Sequence, residues 1–138
     1  MKNDLIKQEF IIKSLKPYFE DINNCGYDSN IGECAYETCD GKKCVVGQYL
    51  NTKEFNEDNA RFHYIALKYT DFNDILMDDA KYKLTIGEWN LIQYIHDDLA
   101  FVRPSETILC ELDRLEIVSN VDLTELKQML PNYEPIIF

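Results

Sequence analysis

Residues 34–47 read Cys-Ala-Tyr-Glu-Thr-Cys-Asp-Gly-Lys-Lys-Cys-Val-Val-Gly, and the rest of the chain is organised around this stretch. Asp40-Gly41 is a strong signal for a tight hairpin turn, because glycine accepts the positive φ that such a turn needs. Short segments typical of β-strands flank the turn, and Gly47 lets the chain leave the second one. The stretch predicts a small antiparallel β-hairpin over about residues 33–46.

Helical patterns precede and follow this hairpin. In residues 4–22 one apolar face is predicted, and Pro17 is expected to kink or end the helix near Lys16. That face consists of Leu5, Ile12, Leu15, Phe19 and Ile22, and Phe10 and Ile11 widen it. Further helices are predicted over residues 57–69, 105–118 and 122–131, with a strand as the alternative for 62–66 and 108–112.

The best-marked helix begins at Thr85, which forms a capping box with Glu88. It carries one apolar stripe, made of Trp89, Ile92, His96 and Leu99. The sequence therefore predicts an α+β fold, namely a single mainly helical domain over residues 1–138 with one small hairpin. The residues expected to be structural are Asp40, Gly41, Gly47 and Trp89.

Composition limits the class of protein. The chain has 138 residues, 46% hydrophobic and 12% aromatic, which excludes a disordered chain. No apolar run approaches the roughly 20 residues of a membrane-spanning helix, and the first residues lack the apolar core of a signal peptide. We expect a soluble, cytoplasmic protein with no membrane partner, in which the five cysteines are reduced thiols or metal ligands.

The net charge of −11 is concentrated in one part of the chain. Residues 71–125 hold 13 acidic and 4 basic residues, a net of −9. Such a chain is repelled by phosphate backbones, so no direct nucleic-acid binding is expected, whereas a protein with a basic surface is a fitting partner. The simpler interpretation is a set of solvated helix faces that aid solubility.

Two motifs carry a resemblance. Residues 34–47 resemble a Cys-x-Tyr…Gly-x-Lys-Cys-Ala-Val-Gly signature of a group of small phage and bacterial proteins, in which a Leu-Gln-x-Ile/Leu-His-Asp segment follows. Residues 92–97, Ile-Gln-Tyr-Ile-His-Asp, occupy the place of that segment. Val45 replaces the usual alanine, and the sequence after Asp98 has no counterpart. The resemblance implies a phage or mobile-element accessory protein, and it draws attention to Cys34, Cys44, His96 and Asp97.

Thiol chemistry is one hypothesis for these residues. Cys44 is expected near the start of a short helix, where the helix dipole lowers a thiol pKa, and His96 is the candidate base. Asp97 is the candidate orienting group, although neighbours on a helix point about 100° apart and Asp97 should therefore face away from His96. The alternative is a packed cysteine and a hydrogen-bonded core histidine.

Zinc binding is a weaker hypothesis. Cys34, Cys39 and Cys44 are the candidate ligands, with Cys25 or His96 as a fourth. Four intervening residues lie at the upper edge of the usual ligand spacing. A two-residue turn would place Cys34 and Cys44 on opposite faces of the hairpin, and only a loop with an odd residue count would bring them together.

The preferred hypothesis is a non-enzymatic accessory protein that binds a host protein, such as a defence or nucleic-acid-handling factor, through an acidic helical surface. Its candidate binding residues are Asp71, Asp74, Asp78, Asp79, Asp97, Asp98 and Glu106. No cofactor is expected, and homo-oligomerisation is left open. The alternative is a small thiol-dependent enzyme or zinc-binding protein that uses Cys44, His96 and Cys34.

Overall fold

The first helix, α1 (Leu5–Glu20), begins at Asp4, whose side chain accepts a hydrogen bond from the Lys7 backbone N–H at 3.0 Å. The computed structural model describes residues 4–28, 33–34, 38, 41–50 and 72–131. Pro17 does not end α1 near Lys16, because its carbonyl accepts the Asp21 N–H and the helix continues for another turn. The predicted end of this helix is therefore wrong.

The buried face of α1 agrees with the predicted one at Phe10, Ile11 and Leu15 and differs from it at Leu5 and Tyr18. Phe10, Ile11, Leu15 and Tyr18 are buried, whereas Leu5 is 64% exposed. Ile12 and Phe19 are partly buried at the edge of the core, and Ile22 lies beyond the helix in a 3₁₀ turn, Ile22–Asn24.

Three more helices follow in the described residues: α2 (Ile86–Ala100), α3 (Ser105–Ser119) and α4 (Thr124–Lys127). The predicted capping box of α2 is confirmed, since Thr85 and Glu88 each accept the other's backbone N–H. All four residues of its predicted apolar stripe are buried. α3 is a helix throughout residues 108–112, so the strand alternative there is wrong.

The predicted hairpin over residues 33–46 is wrong, and with it the α+β class: the described part of the chain is mainly helical. The two strands in the described residues are β1 (Tyr27–Asp28) and β2 (Glu33–Cys34), which pair as a two-residue antiparallel ladder. Gly41 does adopt a positive φ of 86°, and the Thr38 N–H donates to the Lys42 carbonyl at 2.7 Å to close a turn. Asp40 lies outside the described residues.

The predicted second strand is replaced by a helical turn. Val46 has helical backbone angles, the Gln48 N–H donates to the Cys44 carbonyl at 3.1 Å, and a 3₁₀ helix, Gly47–Tyr49, follows. Val45 and Val46 are fully buried in the core. Their β propensity is overridden because a compact turn buries both side chains among the helices, which a flat ribbon would not do.

An aromatic cluster joins this turn to the helices. The ring centroids of Phe10 and Trp89 are 5.8 Å apart, and those of Phe10 and Tyr49 are 5.1 Å apart. Tyr49 leads into Leu50, which bridges to Leu76 beyond a 3₁₀ helix, Phe72–Ile75. The core therefore includes this turn, α1 and α2, and α3 and α4 add Leu112, Leu115 and Leu126 to it.

A buried carboxylate joins three of the helices near their ends. Glu88 is 2% exposed; it accepts a hydrogen bond from Ser119 at 2.5 Å and forms an ion pair with Lys7 at 2.9 Å. α2 and α3 are antiparallel neighbours, joined by a short turn over residues 101–104. The predicted helix over 57–69 lies outside the described residues. Within the described part, no helix is both long and apolar enough to cross a membrane.

Candidate functional site

Cys44 begins the helical turn, as predicted for a helix start, but its surroundings do not activate the thiol. The Gly47 N–H donates to Cys44 Sγ at 3.2 Å, and the side chain is 1% exposed. Burial raises the pKa of the Cys44 thiol to about 12, and the Asp97 charge adds to the rise although the Gly47 hydrogen bond opposes it. Cys44 is consequently a protonated, packed thiol at neutral pH.

His96 is fully buried and both of its ring nitrogens are engaged. Its Nε2 accepts a hydrogen bond from the Gly26 backbone N–H at 3.0 Å, so the ring proton is on Nδ1. Nδ1 lies 2.8 Å from Asp97 Oδ1 and donates to it. The Tyr18 ring meets the imidazole edge to face, with centroids 4.7 Å apart. The nitrogen that a general base would use is therefore occupied by the backbone.

Asp97 reaches His96, contrary to the sequence-based expectation that it would point away. Nδ1 is the ring nitrogen closer to the backbone, so the short Asp97 side chain can contact it despite the angle between neighbouring residues. Gln93 fixes the carboxylate from one turn earlier, because its Nε2 donates to Asp97 Oδ1 at 2.9 Å. The Gln93 Oε1 accepts the Val46 N–H at 3.2 Å. Together these bonds attach the segments around Gly26 and Val46 to α2.

The other cysteines do not complete a reactive or metal site within the described residues. Cys25 is buried, its thiol points at the His96 carbonyl 3.9 Å away, and burial raises its pKa to about 12. Cys39 and the Cys34 side chain lie outside the described part. Among the residues that are described, no group of three or more His, Cys, Asp or Glu side chains is placed to hold a metal ion. The geometry thus favours structural roles for Cys44 and His96.

The predicted binding carboxylates fall into two separate groups. Asp74, Asp78 and Asp79 lie on the segment that packs beside Tyr49 and the first turn of α2. Asp97 and Asp98 lie near the end of α2, about 12 Å along the helix axis from its first turn. Asp71 is outside the described residues. The described members of the predicted set thus lie before α2 and at its end, and Glu106 lies in the first turn of α3.

Most ion pairs between lysines and carboxylates in the described part involve carboxylates other than the predicted binding residues. Lys127 contacts both Asp113 and Glu116, Lys7 contacts Glu88, and Lys16 lies 3.9 Å from Glu125. In the first acidic group, Lys81 lies 3.6 Å from Asp78. Asp98 and Glu106 have no lysine partner among the described residues. Asp98 and Glu106 lie where α2 ends and α3 begins.

We call this region the acidic corner. Its residues are Tyr94, Asp97, Asp98, Phe101, Glu106 and Glu111. Tyr94 is 58% exposed and Phe101 46% exposed, and both share a helical stripe with Asp98. Phe101 also meets the Tyr27 ring edge to face at 5.5 Å. Exposed aromatic rings therefore border the carboxylates on the same side of α2.

Glu111 belongs to the acidic block of residues 71–125 but not to the candidate binding residues, and its pKa is the one most clearly shifted in the corner. Burial, a hydrogen bond with Asp98 and the Asp98 charge together raise its pKa to about 8, whereas Arg114 opposes the shift. Glu106 lies on the same helix but about 140° around its axis, so it adds nearby charge without joining the pair. Only the packing of α2 on α3 brings Asp98 and Glu111 together.

Comparisons of the chain with protein-family models, curated proteins and solved structures found no match. The resemblance of residues 34–47 and 92–97 to a phage and bacterial group therefore stays a prediction. Three residues of the site were not among the candidate site residues predicted from the sequence, namely Gly26, Gln93 and Glu111. Gln93 alone had a local signal, because it precedes His96 by three residues and Asp97 by four, which places all three within reach on a helix.

Proposed function

We propose that this chain is a non-enzymatic accessory protein of a phage or mobile element that acts in the cytoplasm by binding a basic surface of a host protein. The acidic corner is the proposed contact surface. The observation that carries the proposal is a group of carboxylates beside the exposed rings of Tyr94 and Phe101. The group consists of Asp97 and of Asp98 and Glu106, which have no lysine partner in the described part of the chain.

Charge supports a cationic partner. Carboxylates held close together repel one another, and the raised pKa of Glu111, about 8, reflects burial together with that repulsion. An incoming arginine or lysine would pair with the carboxylates of Asp97, Asp98 and Glu106, so their charge favours the complex. The net charge of −11 also steers a basic partner towards the chain and repels nucleic acid.

The aromatic side chains support a partner rich in arginine. A guanidinium group stacks on tyrosine and phenylalanine rings and forms two parallel hydrogen bonds with a carboxylate. Tyr94, Asp98 and Phe101 offer both kinds of contact along one helical stripe. Aromatic residues are also enriched at the centres of protein interfaces.

The test compares two variants with equal loss of charge. The corner variant carries Asp98→Asn, Glu106→Gln and Glu111→Gln, which removes about two charges at pH 7 because Glu111 is largely protonated there. The control carries Asp78→Asn and Asp79→Asn in the other acidic group and also removes two. Partners captured from a bacterial lysate at about 50 mM salt are identified by mass spectrometry, and their affinity for each variant is measured.

We expect the corner variant to lose at least tenfold in affinity, which is about 1.4 kcal/mol, while the control stays within twofold of the native chain. Binding should also weaken as salt rises, because the attraction between exposed charges is screened. Equal weakening of both variants would assign the effect to net charge and reject the corner. Unchanged binding of both would reject the acidic surface altogether.

A further inference from the structure

The side chain of Glu111 contains a buried oxygen that receives no hydrogen bond from the described residues. Its Oε2 is shielded from solvent, and no N–H or O–H group in the described part of the chain lies within hydrogen-bond distance of it. The neighbouring polar group is the Asp98 carboxyl on α2. Two ionised carboxylates are acceptors only, so neither can satisfy the other.

A proton resolves this contact. When one carboxyl is protonated it becomes a donor, and the pair forms an O–H···O⁻ hydrogen bond in place of a repulsive contact. We propose that Asp98 and Glu111 share a proton at neutral pH, and that this proton acts as a pH-sensitive latch between the end of α2 and α3. Loss of the proton to solvent leaves two facing charges and loosens the helix contact.

The surrounding charges set the pH range in which the proton of the latch is lost. Among the described residues, Asp97 and Asp98 face Glu111 from α2, and Arg114 faces it from α3. The two aspartates favour the protonated form and Arg114 favours the ionised form, while burial, the largest effect, favours the protonated form. The balance raises the pKa of Glu111 to about 8, so the latch releases just above neutral pH rather than in acid.

Loss of the shared proton also affects buried residues. Asp97 adjoins Asp98 on α2 and holds His96, which in turn binds the Gly26 backbone. A shift of this end of α2 therefore changes the support of the segment that leads into β1. The latch is a property of the free chain and does not depend on the proposed host partner.

The first test is a carbon-13 NMR titration of the intact protein with labelled glutamate side chains, from pH 4 to pH 10. The Glu111 resonance is identified as the one that Glu111→Gln removes, and Glu106→Gln is the matched control on the same helix. We expect Glu111 to titrate near pH 8, and Asp98→Asn to move its midpoint at least one pH unit lower. A Glu111 midpoint near the ordinary value of about 4.3 would overturn the proposal.

The second test asks whether proton release loosens the helix contact. Amide hydrogen exchange of residues 98–103 is measured at pH 7 and pH 9 in the native chain and in Glu111→Gln, which keeps the shape of the protonated form. After correction for intrinsic exchange rates, we expect protection to fall severalfold at pH 9 in the native chain alone. An equal change in both proteins would reject the latch, and circular dichroism at each pH confirms that both remain folded.

Discussion

The Gly26 backbone N–H donates to His96 Nε2 at 3.0 Å, which ties the loop before β1 to the middle of α2. Because His96 is fully buried, this bond replaces the water that the amide would otherwise contact. The residue that the sequence marked as a candidate base is thus a structural crosslink. Its removal should affect the stability of the fold before it affects any activity.

We predict that His96→Ala destabilises the protein by about 2–4 kcal/mol. The substitution leaves a cavity beside Tyr18 and an unpaired amide at Gly26. Urea unfolding followed by circular dichroism measures the change. Tyr94→Ala, on the exposed side of the same helix, is the control and should stay within about 0.5 kcal/mol of the native chain. Equal stability of both variants would contradict the crosslink.

The reactivity of the thiols provides a second prediction. With a pKa of about 12, only about one Cys44 side chain in ten thousand is ionised at pH 8, and Cys25 is similarly shielded. Cys110 is exposed on α3. Brief treatment with iodoacetamide, followed by peptide mass spectrometry, should therefore label Cys110 at least tenfold faster than Cys25 or Cys44.

In urea the labelling rates of Cys25, Cys44 and Cys110 should become similar. That result would show that burial, and not the intrinsic reactivity of each thiol, sets the rates in the folded protein. Rapid labelling of Cys44 in the folded protein would instead revive the thiol-enzyme hypothesis. The same measurement therefore tests the structural role of Cys44 without knowledge of any substrate.

Local signals in the sequence sufficed where a helix depends on its own residues. The Thr85–Glu88 capping box and the apolar stripe of α2 were predicted correctly, because both follow from spacing along one helix. The prediction of the hairpin was wrong for the opposite reason. Val45 and Val46 have high β propensity, yet burial against distant helices decides their conformation, and a single sequence does not show those partners.

The candidate site was partly predictable for similar reasons. His96 was correctly placed on the buried stripe, but its bond to Gly26 joins residues seventy positions apart. The Asp97 contact was missed because a helical-wheel argument treats side chains as radial and ignores which ring nitrogen is near the backbone. Glu111 carried no local signal, since its environment exists only after α3 packs on α2.

Glycine 41 offers a test of the turn that does survive from the predicted hairpin. Its φ is 86°, and a Cβ added there would meet no atom within 4 Å among the described residues. We predict that Gly41→Ala costs about 1 kcal/mol through backbone strain alone, whereas Gly41→Asn costs less because asparagine tolerates positive φ. Thermal unfolding measures both, and a larger loss for asparagine would contradict the turn geometry.

Glu88 should make the protein sensitive to acid. Burial on its own would raise the pKa of this carboxyl, but hydrogen bonds from Ser119, the Thr85 N–H and Lys7 outweigh it and lower the pKa below its usual 4.5. A lowered pKa in the folded state contributes stability above the usual value, and that stability is lost as pH falls through the folded pKa.

We therefore predict that Glu88→Gln loses stability at pH 7, by about 2–3 kcal/mol, because it breaks the contact with Lys7 inside the fold. The difference between the variant and the native chain should shrink between pH 5 and pH 3. Urea midpoints at pH 7, 5 and 3 provide the measurement. A difference that stays constant over this range would exclude ionised Glu88 as its source.

Glu111 should have the opposite effect, because it should lower the stability of the folded chain as the pH rises. Burial and Asp98 raise its pKa to about 8 in the folded chain, so the folded state binds the proton more tightly than the unfolded state. Stability from this group is complete below the usual pKa of 4.5 and declines as pH rises through about 8. We predict that the native chain loses stability between pH 5 and pH 9 relative to Glu111→Gln. Parallel urea midpoints for the two proteins across this range would show that Glu111 is ionised in both states and that no proton is held between α2 and α3.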